Sequence, residues 1–464
     1  MADIILYSSG TLGDHLPFIA LGQALNDRGH RVRLVINQAM HHYAHKAGLE
    51  VVALTDEERG PEEARANAWA WDHWNYPPDA SPPDAKPFDL ERYIAQAREM
   101  IALCQGADLL ISTSIRSLGY VAHAALELPW LTVSLNPSLF RQPAATEEQL
   151  AILEARLREY DAHKQLFSDV FAALGIHREM PLFSKAWAFA RHVLLASSSH
   201  FSQPDVEQLQ PRSSLDLTGF WFYEEPDWRT WQPSEKLRRF MERRPLVLSF
   251  SSQPLENPGA TLALHAHAAA RLQMPLLVQQ GWAGFSESDL PGDIIPGEVM
   301  FADFLPHDWL FARAACAIQH GGIGSIARAL RQGCPMLIEP YGNDQIYNAS
   351  RVTRLGCGAA MHPFKMTVDG LARTLREQVL APECRERAQA LGASMRTEDG
   401  LATACRAIET YLERVRTGEE SRSRWPLPLL SNPFAPPVDG SVEEIAAPQE
   451  PCAEQPGQPA IPKI

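Results

Sequence analysis

Two turns hold the residues best placed to do chemistry. In the first, Ala315-Cys-Ala-Ile-Gln-His320 reads as a buried strand running into Gly321-Gly322-Ile323-Gly324-Ser325, with a helix following over Ile326 to Gln332. Glycines let the backbone pass close to a ligand, and a helix start offers free N–H groups and the positive end of its dipole. Such a turn can cradle a diphosphate, with His320 and Ser325 each placed to donate to a phosphate oxygen. The plainer alternative is a tight strand-to-helix turn that binds nothing. One β-unit further on, Gly333-Cys-Pro335 opens a strand that ends at Glu339-Pro340, and Asp344-Gln345 opens another helix carrying Asn348. A carboxylate and a carboxamide at one helix start can accept from and donate to neighbouring sugar hydroxyls. Asp344 alone would serve as an N-cap.

The second turn follows an apolar run at 3–8: Ser9-Gly10-Thr11-Leu12-Gly13-Asp14-His15-Leu16-Pro17. It is not Gly-x-Gly-x-x-Gly, so a dinucleotide oxidoreductase has little support. Asp14 reads either as a cap on the helix that starts at Pro17 or as a proton acceptor. His15 competes for the second role, since an unperturbed imidazole titrates at ~6.5.

Both turns need strand–turn–helix units to hold them. Apolar positions at helical spacing run from Pro17 to Arg28, with Gly29 as the stop, and Arg31 to Ile36 is the next strand. Strands and helices keep alternating to about 134, which predicts a parallel sheet wound on both faces. Residues 65–87 break the pattern with a loop rich in proline and aromatics, and 145–192 read as an amphipathic helical insertion. A second alternating series starts at Pro245-Leu-Val-Leu-Ser-Phe. The predicted organisation is an α/β chain of two Rossmann-like, doubly wound domains facing a cleft: 1–218, a linker over 219–233, 234–415, and a disordered proline-rich tail over 416–464. From Pro426 onward the chain holds 10 of its 36 prolines and little periodic apolar sequence.

Composition narrows the partners. The chain has 464 residues and 45% hydrophobic content, enough for two ordinary cores. Forty-two basic against 56 acidic side chains leave a net charge of −14, which disfavours nucleic acid. Seven scattered cysteines without a Cys-x-x-Cys pair read as reduced thiols of a cytoplasmic protein, and no residues have convincing metal-ligand spacing. His41, His42 and His45 read as a solvated face. The N-terminus lacks a signal peptide, and no run reaches the ~18 apolar residues of a spanning helix, so any membrane contact is expected to be peripheral.

The run His320-Gly-Gly-Ile-Gly-Ser325, Gly333-Cys-Pro335, Pro340, Asp344-Gln345 and Asn348 resembles the donor-binding signature of family 1 glycosyltransferases, the UDP-glycosyltransferase-like enzymes. The opening Gly-x-x-Gly-Asp-x-x-Pro-Phe-Ile, Leu217-Thr-Gly-Phe220 and Arg354-Leu-Gly-Cys-Gly358 are similar to the bacterial members that act in rhamnolipid, sterol and antibiotic glycosylation. The resemblance spans roughly residues 4–415 and implies the GT-B fold. It implies an inverting transfer of a hexose from a UDP- or dTDP-sugar to a lipophilic hydroxyl acceptor, with no tightly bound cofactor or metal. By position it makes Asp14 the general base, with His15 the rival. It assigns the donor to His320, Gly321, Gly322, Gly324, Ser325, Asp344, Gln345 and Asn348, with Ser252 near the phosphates, Phe304 as the platform for the nucleobase and His307 beside it. Arg328 departs from the plant members, which have a ribose-binding Glu there, and His307 replaces their Gln. Trp69, Trp71, Trp74, Tyr76 and Phe140 are candidates for the acceptor pocket, with Met180, Phe183, Trp187 and Phe189 beyond them. Two other readings share the fold: a nucleotide-sugar 2-epimerase, which would turn over without an acceptor, and an inactive sugar-nucleotide-binding scaffold.

Overall fold

The computed structural model describes residues 1–55, 89–114, 117–135, 137, 168–177, 190, 192–202, 214–342 and 344–420. The aromatic positions 69, 71, 74, 76, 140, 180, 183, 187 and 189 lie outside these residues, as does the tail from 421.

The first half is a seven-stranded parallel sheet of β1 (Asp3–Tyr7), β2 (Arg31–Val35), β3 (Glu50–Val52), β4 (Leu109–Thr113), β5 (Trp130–Ser134), β6 (His192–Leu195) and β7 (Ser214–Leu217). Its order is β3-β2-β1-β4-β5-β6-β7. The second half repeats the plan with β8 (Leu246–Ser249), β9 (Leu276–Gln279), β10 (Val299–Ala302), β11 (Cys316–Gln319), β12 (Met336–Ile338) and β13 (Gly358–Ala360), in the order β10-β9-β8-β11-β12-β13. Strands buried on both faces read as unbroken apolar runs, which is why Ile4 to Tyr7 show no polar alternation. In each sheet the strand order reverses beside the first strand of the half, between β1 and β4 and between β8 and β11. Crevices open at such reversals, beyond the carboxyl ends of the strands.

The helices are α1 (Leu12–Asp27), α2 (His41–Lys46), α3 (Leu90–Cys104) and α4 (Leu118–Leu126) in the first half. In the second are α5 (Glu235–Glu242), α6 (Pro258–Leu272), α7 (His307–Arg313), α8 (Ile323–Arg331), α9 (Gln345–Arg354), α10 (Val368–Thr374) and α11 (Pro382–Met395), followed by α12 (Gly400–Arg416). Pro17 stands inside α1 and not at its start. The helix starts five residues earlier because Asp14, at its third position, turns back on the N-cap: its Oδ2 accepts from the Thr11 N–H at 2.7 Å and from the Thr11 hydroxyl at 3.2 Å. That reciprocal cap outweighs the bond Pro17 has no N–H to make.

The two halves interlock. The closing helix α12 leaves its neighbours in sequence and buries Ala404, Cys405, Ile408 and Leu412 with Leu6, Phe18 and Leu21 in the first core. In return Phe201, from the loop after β6, is fully buried among Leu330, Ile338 and Ala349 of the second core. Gly400 makes the crossing possible, since a Cβ there would fall 2.3 Å from the Phe220 carbonyl oxygen. The connecting segment is gripped from both sides. Arg328 on α8 donates to the Tyr223 carbonyl, Glu224 and Asp308, while Lys46 on α2 holds Glu225 and Asp227 at 2.6 Å each. The six described cysteines are all buried. Among the described residues no helix is long and apolar enough to cross a membrane.

Gly400→Ala is expected to cost about 1–3 kcal/mol, the range for forcing an extra carbon into a packed contact. Urea unfolding followed by circular dichroism measures it, and an unchanged midpoint would show that the crossing has slack.

Candidate functional site

The two turns singled out in the sequence both lie at carboxyl strand ends and face the space between the halves. On the first side, β1 ends at Tyr7 and the chain bends through Gly10, at φ +135°, before α1 begins. A Cβ on Gly10 would lie 2.2 Å from Asp14 Oδ2, so only glycine leaves the carboxylate its place. The Asn37 amide at the end of β2 donates to the Gly10 carbonyl at 3.3 Å and holds the bend. Asp14 is half-open at the helix start. His15 is wholly enclosed, and burial pushes its imidazole down to about 4, the Gly10 backbone opposing weakly. It exposes no surface to the cleft and is neutral at pH 7, so of the two candidates for a base only Asp14 reaches the open space.

On the second side, β11 ends at Gln319, and His320 precedes Gly321, which sits at φ +100°. Gly322 is the N-cap of α8, and a Cβ on it would fall 2.5 Å from His320 Nε2. The imidazole thus lies against the glycine turn. Desolvation lowers it to about 4. Ser325 follows in the first turn of α8, where unpaired N–H groups face the cleft.

Asp344 is the N-cap of α9, but its side chain does not cap the helix. Its Oδ2 accepts from Asn348 Nδ2 at 2.9 Å, and the same amide donates to the Gly321 carbonyl at 3.0 Å. Fully buried Asn348 therefore ties the Asp344 carboxylate to the glycine turn. Gln345 is also engaged internally: its Nε2 donates to Gln253 Oε1 at 2.9 Å and its Oε1 accepts the Tyr341 N–H at 2.8 Å. Burial, with a smaller push from the negative charge of Asp14 and against the Asn348 bond, raises the Asp344 carboxyl to about 6.

A pocket open to solvent lies between the halves, with about 760 Å³ of empty space counted through its mouth. Leu12, Leu16 and Pro17 of α1 line one side, Ile323 and Gly324 of α8 the other, and Trp221 and Phe222 of the connecting segment its end. Ser251, at φ +49°, lines it where the sequence pointed to Ser252. Phe304 keeps 37% of its surface exposed and borders the same space, stacked on Trp228 with ring centroids 5.7 Å apart and 30° between planes. His307 is buried, its imidazole lowered by desolvation to about 3. Its Nε2 lies 3.3 Å from Gln279 Oε1 and its ring 5.0 Å from the Phe304 ring. Trp228 escaped the sequence reading. Arg328 does not stand free where the plant enzymes have their ribose-binding Glu: it clamps the connecting segment and stacks over Phe222 at 5.0 Å. Its one signal in the sequence was that departure. Among the described residues, no group of His, Cys, Asp and Glu is arranged to hold a metal ion.

Two facing parallel-sheet domains, a glycine turn on one and an acidic turn on the other, define the architecture of a GT-B glycosyltransferase. Residues 4–103 match the model of the glycosyltransferase family 28 N-terminal domain, and 286–405 that of the erythromycin biosynthesis protein CIII-like C-terminal domain. O-mycaminosyltylonolide 6-deoxyallosyltransferase of Streptomyces fradiae is 30% identical over 437 residues, covering 88% of this chain and 97% of its own. The sterol 3-beta-glucosyltransferase of Pichia angusta is 25% identical over 433 residues, 89% of this chain but 34% of the relative. This chain thus spans about a third of the length of that curated relative. The glycotransferase of kitacinnamycin shares the fold with a TM-score of 0.68 at 20% identity, over 89% of this chain and 99% of that one. The calicheamicin glycosyltransferase CalG4 does so at 0.64 and 17%, with the same coverage. The chain belongs to this GT-B glycosyltransferase family.

A carboxyl raised in the folded state stabilises the fold only while protonated. The contribution is full below the unfolded value near 3.8 and is lost as pH rises through about 6. Asp344→Asn is therefore expected to raise the unfolding temperature by a few degrees at pH 7.5, with the gain vanishing towards pH 4. Differential scanning calorimetry across that range checks it, and a gain independent of pH would contradict the burial of a charge at this position.

Proposed function

We propose that this chain is an inverting glycosyltransferase that moves a hexose from a UDP- or dTDP-linked donor to a hydroxyl of a lipophilic small molecule or lipid. The observation that carries the reading is that both turns border one pocket: Leu12 and Gly13, next to Asp14, from the first half, and Ile323, Gly324 and Ser325 of the glycine turn from the second. In this reading the glycine turn and His320 hold the diphosphate, Phe304 carries the base, and Asp344 bonds donor-sugar hydroxyls. Asn348 and Gln345 keep Asp344 and its loop in place. Asp14 takes the proton of the acceptor hydroxyl as that oxygen attacks the anomeric carbon from the face opposite the diphosphate. The carbon–oxygen bond to the diphosphate breaks as the new one forms, so the configuration inverts. Positioned bases contribute typically ~10²–10⁴-fold in rate. Negative charge grows on the leaving diphosphate, and the N–H groups of the α8 start face it. The apolar wall of Leu12, Leu16, Pro17 and Trp221 suits an acceptor with hydrocarbon surface, in keeping with relatives named for a sterol and a macrolide.

Thermal shift with UDP-glucose, dTDP-rhamnose, UDP-N-acetylglucosamine and UDP-galactose selects the donor, because a ligand of the folded state raises its apparent stability. With that donor, Asp14→Asn should lose turnover by about 10²-fold or more and keep donor affinity. Near-normal turnover would remove Asp14 as the base. Asp344→Ala should weaken the intact donor and leave the free nucleoside diphosphate within about twofold, well under the ~1.4 kcal/mol of a tenfold change. Equal losses in calorimetric titration would withdraw the sugar subsite.

A further inference from the structure

Strand register places Phe250, His320 and Glu339 side by side just beyond β8, β11 and β12. Ile318 pairs with Leu248 and Gln319 with Ile338, and the Glu339 N–H extends the ladder by donating to the Gln319 carbonyl at 2.8 Å. Matching positions of neighbouring strands present side chains to the same face. Helix α6 lays His265 against this row, its ring 6.5 Å from that of Phe250. His265 and Glu339 are both fully buried, with Nε2 at 2.7 Å from Oε1 and Nδ1 at 2.7 Å from the Thr261 carbonyl. A carbonyl only accepts, so Nδ1 carries a proton. Burial opposes the charged ring, but Glu339 outweighs it and holds His265 above the ordinary histidine value.

Two buried atoms of the same row have no hydrogen-bond partner among the described residues: Glu339 Oε2 and His320 Nδ1. The other nitrogen of His320 faces the glycine turn, as the close approach to Gly322 shows. A buried carboxylate oxygen and a buried ring nitrogen, unpaired on adjacent positions, call for a shared proton or a bridging water.

We propose that Glu339 is a positioning residue for the diphosphate site: its Oε2 takes the Nδ1–H of His320, directly or through one buried water, and leaves Nε2 as the atom that gains a proton from solvent when a diphosphate arrives. The inference rests on reading residues 320–325 as the diphosphate cradle. In the free protein His320 is neutral, with burial holding it near 4. A bound diphosphate brings negative charge to Nε2 while Glu339 Oε2 accepts at Nδ1, so the ring charges and donates a charge-assisted bond. Other titratable groups face the same region. They are His265 on α6, Tyr341 with its ring 5.9 Å from Phe250, Asp344 tied through Asn348 to the Gly321 carbonyl, and Asp14 across the cleft. Asp344, raised to about 6, could itself take up a proton, so the test is run in an Asp344→Asn background.

UDP is titrated calorimetrically at pH 7 in buffers of different ionisation enthalpy, which counts the protons taken up on binding. The Asp344→Asn protein is expected to take up a substantial fraction of a proton. Adding Glu339→Gln should abolish most of that uptake and weaken UDP roughly tenfold, and adding His320→Ala should do the same. If His320→Ala leaves UDP affinity unchanged, the cradle itself is misplaced. If His320→Ala removes the uptake but Glu339→Gln retains it, the cradle stands and the role of Glu339 falls. Should Glu339→Gln fail to fold, the unmutated protein decides: imidazole ¹⁵N spectra, assigned by loss of the His320 signals in His320→Ala, should show the Nδ1–H tautomer. An Nε2–H tautomer would overturn the proposal.

Discussion

The site exists only because the two sheets are held at a fixed offset, and that offset rests on an exchange of apolar groups. One half lends Phe201 to its neighbour's core and receives a whole helix, Gly400–Arg416, in return. Both contacts are mainly apolar, with the Arg28–Glu409 ion pair and the bond from Arg351 to the Phe201 carbonyl at their edges. Between them the connecting segment is pinned by Arg328 and Lys46, which grip neighbouring residues of one short stretch from opposite sides. Every chemical feature of the cleft inherits its geometry from this arrangement. Asp14 and Asp344 are far apart in sequence and come from different sheets, yet the charge of Asp14 raises the Asp344 carboxyl.

The glycine turn also depends on what lies beneath it. His320, Asn348 and Gln345 are almost wholly buried, so their contacts are set in low dielectric, where a hydrogen bond is strong and an unmade one costly. The side chains named by the signature thus divide by depth. Asp344 keeps some exposure, whereas His320, Asn348, Gln345 and His307 are buried. Residue types alone do not separate these roles, because an amide at a helix start can face a sugar or a neighbouring amide equally well.

Much of this was legible in the sequence because it is local. Alternating apolar runs and helical spacings gave the two parallel sheets, and the glycine run after Gln319 announced a close backbone approach. Pro17 misled, because a proline that suits a first turn also survives inside a helix whose start is fixed by a stronger cap, here Thr11 with Asp14. What stayed hidden is non-local. Trp228 in a proline-containing linker carried no sign that it would stack on Phe304, and Arg328 showed only as a misfit in a familiar pattern. Nothing near Gly400 indicated that the following helix would pack against α1, since its apolar face would suit either core.

The exchanged helix also sets the order in which the molecule can be completed as it is made. Synthesis proceeds from the first residue, and domains generally fold as they emerge. Here the surface of α1 that will receive Ile408 and Leu412 appears nearly four hundred residues before its cover does. Until residue 416 has left the ribosome, the first sheet carries an uncovered apolar face. The nascent chain must therefore be shielded or be slow to aggregate over almost its entire length, and a truncation that removes only this final helix would strike the half of the protein made first.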